Sequence, residues 1–241
     1  MKWRGPVLHR FVVALVDDEP AVRQLGRYLL EDALATKAFL LTYNHVVEAL
    51  FSLNNCPERL AAVSDTLASQ ATHEAGSQLM PAAGTEGCRL DGIAAREKRM
   101  VIYRELLSRM SPEHRFSCSA KLCVDVLGAV IDGALPLDGC QEVVRDALLV
   151  LACKEIQVSS LAPKEQDADA EDPGTQAAAS AQVAAAKGRL MGSMMRKHLL
   201  EQVVPVLVEL HRQLTASRHP LLGALMQAAA ALLKEHKDEV R

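Results

Sequence analysis

Residues 111–155, SPEHRFSCSAKLCVDVLGAVIDGALPLDGCQEVVRDALLVLACKE, hold the complete pattern of one helical hairpin. Ser111 fits an N-cap, Pro112 the first helical position and Glu113 the acidic first turn. This helix is predicted to run to about Asp132-Gly133, with the turn at Ala134-Leu135-Pro136. Its partner is predicted from Leu137 to about Glu155. The apolar face of the partner contains Val143, Val144, Ala147, Leu148 and Leu151.

Three further helices are predicted in residues 4–53. The first ends near Val16, and the second opens at Asp17-Asp18-Glu19-Pro20, which places carboxylates at a helix N-terminus and a proline in its first turn. The third runs from about Thr36 to Leu53 and is apolar enough to lie between neighbours. One buried face is predicted for the second helix from the spacing of Val22, Leu25, Leu29 and Leu30.

The remaining helices follow the same rules. One is predicted over residues 93–110, and a long helix over about Gln176 to Gln213. Pro205 lies inside the long helix, so we expect a kink or a restart there. After a turn at Ser217 to Pro220, a closing helix is predicted from Leu221 to about Lys237.

Two long loops divide these helices. Residues 54–92 collect Asn, Pro, Gly, Ser and Thr with little periodicity, and predict a flexible insertion with one short helix around Arg59–Ser69. Residues 158–175 are acidic and predict a solvated linker. The predicted division is therefore helices at 1–53, the insertion, helices at 93–157, the linker, and helices at 176–241. Helix pairs with one apolar face stack on one another, so the predicted fold is an all-α solenoid of antiparallel pairs with two long loops.

Composition agrees with this fold class and limits the function. The chain has 241 residues, of which 49% are hydrophobic and only 3% aromatic, which disfavours a large β-sandwich or barrel. The net charge of −3 excludes a globally basic nucleic-acid binder, so any DNA contact would have to be local. No signal peptide or membrane-spanning stretch is predicted. The scattered cysteines predict reduced, buried thiols: Cys56, Cys88, Cys118, Cys123, Cys140 and Cys153.

No catalytic, cofactor or metal site is predicted. His114 and Cys118 lie four residues apart on one helix face, but no third ligand has suitable spacing. The stretch Lys187-Gly188-Arg189 does not match a phosphate-binding loop and follows no strand. Since no nucleophile and base can be paired, we expect neither an enzyme nor a small-molecule ligand.

Two local patterns resemble HEAT repeats. The first is LVDDEPAVR at 15–23, in which Asp17 and Asp18 precede Val22-Arg23, and the second is VVPVLVEL at 203–210, with Pro205 in an apolar helix. In HEAT repeats the equivalent acidic residue and arginine commonly make polar contacts along the stack. The resemblance therefore implies structural roles for Asp17, Asp18, Val22, Arg23 and Pro205.

Three longer segments resemble the C-terminal HEAT region of the D-type subunit of condensin II. They are residues 97–116, residues 123–156 with GALPLD and CKEI, and residues 197–240, from KHLLEQVVP to KDEV. The closing helices also resemble the paralogous condensin I subunit, but the LPLD and KEI block favours condensin II. The resemblance covers most of residues 10–53 and 93–241 and implies that the chain is part of a longer subunit.

The resemblance implies a function. It is that of a non-catalytic scaffold subunit in mitotic chromosome condensation, located in the nucleus and on chromosomes. The implied partners are the SMC ATPase subunits, the kleisin, the second HEAT subunit and chromatin DNA. The alternative is a general α-solenoid adaptor that never meets chromatin, which explains the helices but not the ordered LPLD, KEI and KDE blocks.

Basic residues on the helix at 93–110 are the best candidates for DNA contact. They are Arg96, Lys98, Arg99 and Arg104, and we expect double-stranded DNA to be the nucleic acid involved. The alternative is a solvated helix face, because Glu97 and Glu105 lie beside them. A second basic cluster, Arg189, Arg196, Lys197 and His198, carries the same two interpretations.

Overall fold

The computed structural model describes residues 11–34, 39–63, 90–153 and 197–234, together with the helical residues 186, 190, 193 and 194. Within these ranges every regular element is helical. A helix ends at Ala14 and is followed by α1 (Pro20–Leu34), α2 (Phe39–Leu53) and a 3-10 turn (Pro57–Ala62). The later helices are α3 (Arg96–Ser108), α4 (Pro112–Leu122), α5 (Gln141–Leu151), α6 (Val204–Ala216) and α7 (Leu222–Leu233).

The predicted hairpin at 111–155 is present as α4 and α5. The Ser111 hydroxyl accepts a hydrogen bond from the backbone N–H of His114 at 3.3 Å, which confirms the N-cap. Helix α4 continues through a π-helical turn, Cys123–Leu127, to a last α-turn at Gly128–Ile131. Gly133 then adopts a φ of +74°, a conformation that ends helices and favours glycine. The N–H of Leu135 bonds to the carbonyl of Ala129 at 2.8 Å and closes the turn.

Pro205 does not break its helix. The π-helical turn Leu199–Val203 leads directly into α6, and Pro205 lies in the first turn of α6. A proline has no N–H to donate to the carbonyl four residues earlier and crowds it, so wider winding just before it keeps the helix continuous. We expected a kink or a restart at Pro205, and the structure instead shows a change from π-helical to α-helical winding.

The helices form two layers. One layer contains α2, α4 and α6, and the other contains α1, α3, α5 and α7. Within each layer neighbours pack side by side, and α2/α3, α4/α5 and α6/α7 are hairpins between the layers. Buried apolar residues from all these helices form one core cluster, which includes Leu30, Leu50, Leu106, Leu148, Leu210 and Leu225. The prediction of an all-α solenoid of antiparallel helix pairs is confirmed.

The predicted insertion at 54–92 has packed ends. Cys56 and Val63 are buried beside the core, and so is Leu90 at the other end. The first part of the short helix predicted around Arg59–Ser69 is a 3-10 turn, Pro57–Ala62, and the rest of that prediction lies outside the described residues. The structure does not describe residues 64–89, nor residues 154–196 apart from 186, 190, 193 and 194. The acidic linker 158–175 and the start of the long helix predicted from 176 fall in the second of these ranges. The division of the chain at these loops stays a prediction.

The predicted buried face of α1 is wrong in part. Leu30 is fully buried, but Val22 and Leu25 are exposed, so Val22 is not a core position. The helix instead contacts its neighbour through Gly26, where an added Cβ would lie 3.0 Å from the Cβ of Ala14. The helical spacing of apolar residues predicts which side of a helix favours burial. It does not predict which edge of that side contacts the neighbouring helix.

Gly26 therefore sets the distance between α1 and the helix before it. Gly26→Ala is expected to lower the free energy of unfolding by about 1 kcal/mol, because the new methyl group overpacks against backbone atoms of Phe11 and Ala14. The matched control is Gly128→Ala in α4, where nothing lies within 4 Å of an added Cβ. This control should raise stability by up to ~1 kcal/mol. Urea denaturation measures both, and equal shifts of the same sign would show that Gly26 is not a packing constraint.

Candidate nucleic-acid interface

Helix α3 carries all four residues predicted to contact DNA, and it presents them in different directions. Lys98 and Arg104 are exposed, and Arg96 is partly exposed with 22% of its side chain accessible. Arg99 is 0% exposed and belongs to the buried face of α3, beside Met100, Ile102 and Tyr103. The four residues therefore do not form one basic patch.

Arg99 is a core residue, and its prediction as a DNA contact is wrong. Its Nε donates to Asp146 Oδ2 at 2.6 Å, and its Nη2 donates to Asp146 Oδ1 at 3.2 Å. Its Nη1 donates to the carbonyls of Leu90 at 2.7 Å and Gly92 at 2.6 Å. A longer contact of 3.5 Å joins Nη2 to Glu142 Oε2. These contacts match the five N–H groups of a guanidinium, so none remains for a phosphate.

Asp146 is the acceptor at the centre of this cluster. Besides Arg99, it accepts from the Tyr103 hydroxyl at 3.1 Å and from Asn54 Nδ2 at 2.9 Å. Asn54 Nδ2 also donates to the carbonyl of Leu50 at 2.9 Å, at the end of α2. We call Arg99, Asp146, Tyr103, Asn54 and Glu142 the Arg99 cluster. It joins α2, α3 and α5 to the short segment at 90–92.

Burial and charge act in opposite directions on this cluster. Burial alone would lower the pKa of Arg99, but the hydrogen bonds and negative charge of Asp146 outweigh it and raise the pKa above its usual value. Burial, followed by the charge of Asp146, raises the pKa of Tyr103 well above its ordinary range. The guanidinium therefore stays charged and the phenol stays neutral, a pattern that fits a structural ion pair and not acid–base catalysis.

Acidic residues pair with the outer basic residues of α3. Lys98 Nζ lies 3.3 Å from Asp18 Oδ1, and Arg96 Nη2 lies 2.7 Å from Glu142 Oε2. At the end of the helix, Arg109 Nη1 lies 3.0 Å from Glu31 Oε2. DNA binding depends on cations that are free to replace the counterions of phosphates. Local ion pairs therefore weaken the case for this face as a DNA site.

The residues expected to play HEAT structural roles are only partly placed as expected. Arg23 Nη1 donates to the backbone carbonyls of Asp17 at 2.7 Å and Asp18 at 2.9 Å, so it caps its own turn and does not bridge the stack through a carboxylate. The Asp17 carboxylate accepts from the N–H of Glu19 at 2.9 Å. Asp18 does contact the neighbouring helix of the stack, since Lys98 of α3 donates to its carboxylate at 3.3 Å.

The second basic cluster is described in part. Arg189 and Arg196 lie outside the described residues. Lys197 is exposed and lies 3.9 Å from Glu201, and the ring of His198 packs edge-on against Phe116 with centroids 6.0 Å apart. One member thus serves helix packing between α4 and the start of α6. DNA contact by this cluster stays a prediction.

The structure also shows a polar cluster that the sequence analysis missed. The Tyr43 hydroxyl donates to Asp125 Oδ2 at 2.8 Å, and Lys121 Nζ lies 2.6 Å from the same oxygen and 4.9 Å from the Tyr43 ring centre. It joins α2 to the π-helical turn of α4. The i, i+4 spacing of Lys121 and Asp125 is a signal for their pairing, but nothing local indicates Tyr43.

Thiols and metal ligands give no further site in the described ranges. Cys56, Cys118, Cys123, Cys140 and Cys153 are free and buried, as predicted, while Cys88 lies outside the described residues. Burial raises the pKa of Cys118 and of Cys123 to about 12, so neither is a reactive thiolate at neutral pH. No group of three or more His, Cys, Asp or Glu side chains there could hold a metal ion. Nor is any described helix both long and apolar enough to cross a bilayer.

Comparison with known proteins identifies the family. A family described as "Condensin-2 complex subunit D3-like. HEAT repeats" matches residues 154–241. The chain is 37% identical over 243 aligned residues, covering 100% of its length, to "Condensin-2 complex subunit CAP-D3" of Arabidopsis thaliana. The chain belongs to the condensin-2 subunit D3 family. The expected resemblance is thereby confirmed, and the solenoid is of the HEAT type.

Other D3 relatives show the same full coverage. The chain is 28% identical to "Condensin-2 complex subunit D3-L" of Xenopus laevis and 28% identical to "Condensin-2 complex subunit D3" of Mus musculus, in both cases over 100% of its length. It spans only 15–17% of the length of these three relatives. No solved structure matches it significantly.

Substitution of a charged member of the Arg99 cluster is expected to destabilise this D3-family chain strongly. Asp146→Ala is expected to lower the free energy of unfolding by about 3–5 kcal/mol, because it leaves a buried guanidinium without its counter-charge. Arg99→Lys should also be destabilising, since an ammonium cannot make the two-pronged contact. Urea denaturation followed by circular dichroism measures both changes.

An exposed ion pair on the same helix is the control. Lys98→Gln removes only the contact with Asp18 and should change stability by less than about 1 kcal/mol. A loss at Asp146→Ala no larger than at Lys98→Gln would contradict the assigned role of the Arg99 cluster.

The exposed basic residues of α3 give a separate prediction about DNA. Lys98→Glu combined with Arg104→Glu should leave affinity for a short DNA duplex, and its dependence on salt, unchanged within about twofold. Fluorescence anisotropy at two or more salt concentrations measures both quantities. A clear fall in affinity together with a shallower salt slope would restore this face as a DNA contact.

Proposed function

We propose that this chain is a non-catalytic scaffold segment of a condensin II-like complex that acts in mitotic chromosome condensation. The observation that carries the proposal is the 37% identity, over the entire chain, with a protein named as a condensin-2 complex subunit. The two-layer solenoid supports it, because stacked helical hairpins provide long surfaces for other proteins. The buried ionisable residues Arg99, Asp146 and Tyr103 are hydrogen-bonded in one structural cluster.

The proposed partners are the SMC ATPase subunits, the kleisin and the second HEAT subunit, in the nucleus and on chromosomes. Protein contact is favoured over DNA contact because acidic residues lie against Lys98 and Arg96 of α3. Leu200 and Val208, at the start and in the middle of the α6 region, are exposed apolar residues in the α2–α4–α6 layer. Leu200 and Val208 lie about two helical turns apart, so they can contribute to one apolar patch, and contiguous apolar patches mark protein interaction sites. We assign partner contact to this part of the layer.

The alternative is a general solenoid adaptor without any role on chromatin. It accounts for the helices and the apolar surface equally well. It does not account for the similarity to three proteins that all carry the condensin-2 name, each over the full chain. A test of function must therefore ask which proteins bind and not only whether any protein binds.

Co-purification separates these functions. The tagged 241-residue chain is expected to recover SMC and kleisin subunits of condensin II from an extract of mitotic cells. Quantitative mass spectrometry measures the recovery. Leu200→Glu with Val208→Glu should reduce this recovery about tenfold or more, since charge in an apolar contact removes most of its binding energy. Ile93→Glu is the control, because Ile93 is also exposed and apolar, at 71%, but lies just before α3, a helix of the other layer.

The outcomes are distinct. Recovery of other proteins without SMC or kleisin subunits would favour the general adaptor and overturn the proposal. Equal loss with Ile93→Glu would show that the assigned contact surface is wrong, although the complex is right. Circular dichroism of each variant confirms that the helices are intact.

A further inference from the structure

Arginines of α3 and α5 surround one carboxylate at the start of α5. Glu142 lies in the first turn of α5, and its Oε2 is 2.7 Å from Arg96 Nη2 and 3.5 Å from Arg99 Nη2. Its other oxygen, Oε1, is 3.3 Å from the Nε of Arg145, three residues further along α5. Arg96 and Arg145 therefore approach the two oxygens of the same carboxyl group, one from each helix. We call Arg96 and Arg145 the arginine pair.

The arginine pair makes few hydrogen bonds, in contrast to Arg99. Arg96 donates one hydrogen bond to Glu142, at 2.7 Å, whereas Arg145 is close to the carboxylate without hydrogen-bond geometry. The Nε atoms of both arginines are buried and have no hydrogen-bond partner among the described residues. Each guanidinium carries five N–H groups. Most donors of the pair are therefore unused within the described part of the chain.

The surroundings of the arginine pair carry excess positive charge. Asp146 balances Arg99, which leaves the Glu142 carboxylate to two guanidinium groups at the junction of α3 and α5. The side chain of each member of the pair is 22% exposed, so a ligand can approach the pair from the solvent. Partly buried charges are also screened less by salt than fully exposed ones. One further anion against the pair would balance its charge.

An ion pair on α6 shows how a complete contact differs. Glu209 and Arg212 are also three residues apart, and Arg212 Nε donates to Glu209 Oε2 at 2.9 Å while its Nη2 donates to Oε1. Both oxygens of Glu209 thus accept from one arginine. The oxygens of Glu142 are instead divided between Arg96 and Arg145, so neither arginine has a two-pronged acceptor. The ratio of arginines to carboxylates distinguishes the two places, and not the helical spacing.

The chemistry of the arginine pair favours a carboxylate ligand over a nucleic acid. DNA carries about one negative charge per 1.7 Å of helix axis and binds through many free cations. Lys98, two residues beyond Arg96, already lies 3.3 Å from Asp18, and the charge of Glu142 opposes a polyanion. An aspartate or glutamate side chain adds one charge and two acceptor oxygens. Charge-assisted hydrogen bonds from arginine to carboxylate are among the stronger ones in proteins.

We propose that the arginine pair is a docking site for an acidic peptide segment of a partner protein. An aspartate or glutamate of the segment accepts hydrogen bonds from Arg96 and Arg145 on their solvent side. Glu142 keeps the two guanidinium groups together, and its charge competes with that of the segment. The site lies between α3 and α5, in the layer opposite Leu200 and Val208. The inference goes beyond the proposed function, because it concerns another surface and holds whichever complex the chain joins.

Fluorescence anisotropy with an acidic peptide tests the proposal. The probe is a labelled peptide of about twelve residues in which a run of about four glutamates lies between glycines and serines, and the reference peptide has glutamines in their place. At low salt the full 241-residue chain should bind the glutamate peptide about tenfold or more tightly than the glutamine peptide. Arg145→Gln should weaken binding of the glutamate peptide by about tenfold, because it removes donors to a carboxylate.

Substitutions in the Glu209–Arg212 pair are the matched controls, because they change the net charge of the chain by the same amount. Arg212→Gln should leave affinity within about twofold. Glu142→Gln removes the competing carboxylate and should tighten binding by about threefold or more, whereas Glu209→Gln should tighten it by less than about 1.5-fold. Glu142 lies 3.5 Å from Arg99, at the longest contact of that guanidinium, so the variant should keep its fold. Circular dichroism and thermal melting check the fold of every variant.

Three results would overturn the proposal. Equal binding of the glutamate and glutamine peptides would show that the pair does not recognise carboxylates. Equal weakening by Arg145→Gln and Arg212→Gln, or equal tightening by Glu142→Gln and Glu209→Gln, would reduce the effect to net charge. Displacement of the peptide by a short DNA duplex whose own affinity falls about tenfold with Arg145→Gln would assign the pair to phosphates.

Discussion

The two-pronged contact between Arg99 and Asp146 holds three helices and a loop end in one arrangement. Arg99 comes from α3 and Asp146 from α5, and Asn54 adds the end of α2. The carbonyls of Leu90 and Gly92 fix the chain as it enters α3. Apolar packing alone would tolerate a shift of one helix along another, but five hydrogen bonds donated by one guanidinium do not. The ion pair thus determines the register of two successive hairpins.

The energetics suggest that specificity is the main gain from this contact. Removing a guanidinium and a carboxylate from water costs several kcal/mol for each ion, and their attraction offsets this cost only with good geometry and further hydrogen bonds. Tyr103 and Asn54 supply those further bonds to Asp146, at 3.1 Å and 2.9 Å. The cluster is then stable as a whole, while loss of any charged member leaves its partner buried without a counter-charge. A polar network of this kind disfavours alternative stacking of similar helices.

The sequence predicted the helices well because their signals are local. Ser111 and Pro112 start α4, and Gly133 ends it, each through contacts within a few residues. It failed for Arg99, because the arginine lies in a run of basic residues and its counter-charge is 47 residues away. A lone acid at Asp146, inside the apolar face of α5, was the available signal. Val22 and Leu25 were misplaced for a related reason: helical spacing defines a stripe, but only the neighbouring helix decides which side is covered.

These corrections change which surface the fold offers for function. Arg99 lies in the core, and Asp18 and Glu142 pair with Lys98 and Arg96, so the acidic partners reduce the positive charge that α3 presents. Ion pairs of Arg27 with Glu105 and of Glu31 with Arg109 join α1 to α3 on a polar side of the stack. Leu200 and Val208, and Leu25 and Tyr28 of α1, are instead exposed and apolar. Phosphate recognition needs unpaired cations, whereas stacking and protein docking need apolar area. The distribution of charge in this segment therefore favours its role as a connecting part of a protein assembly.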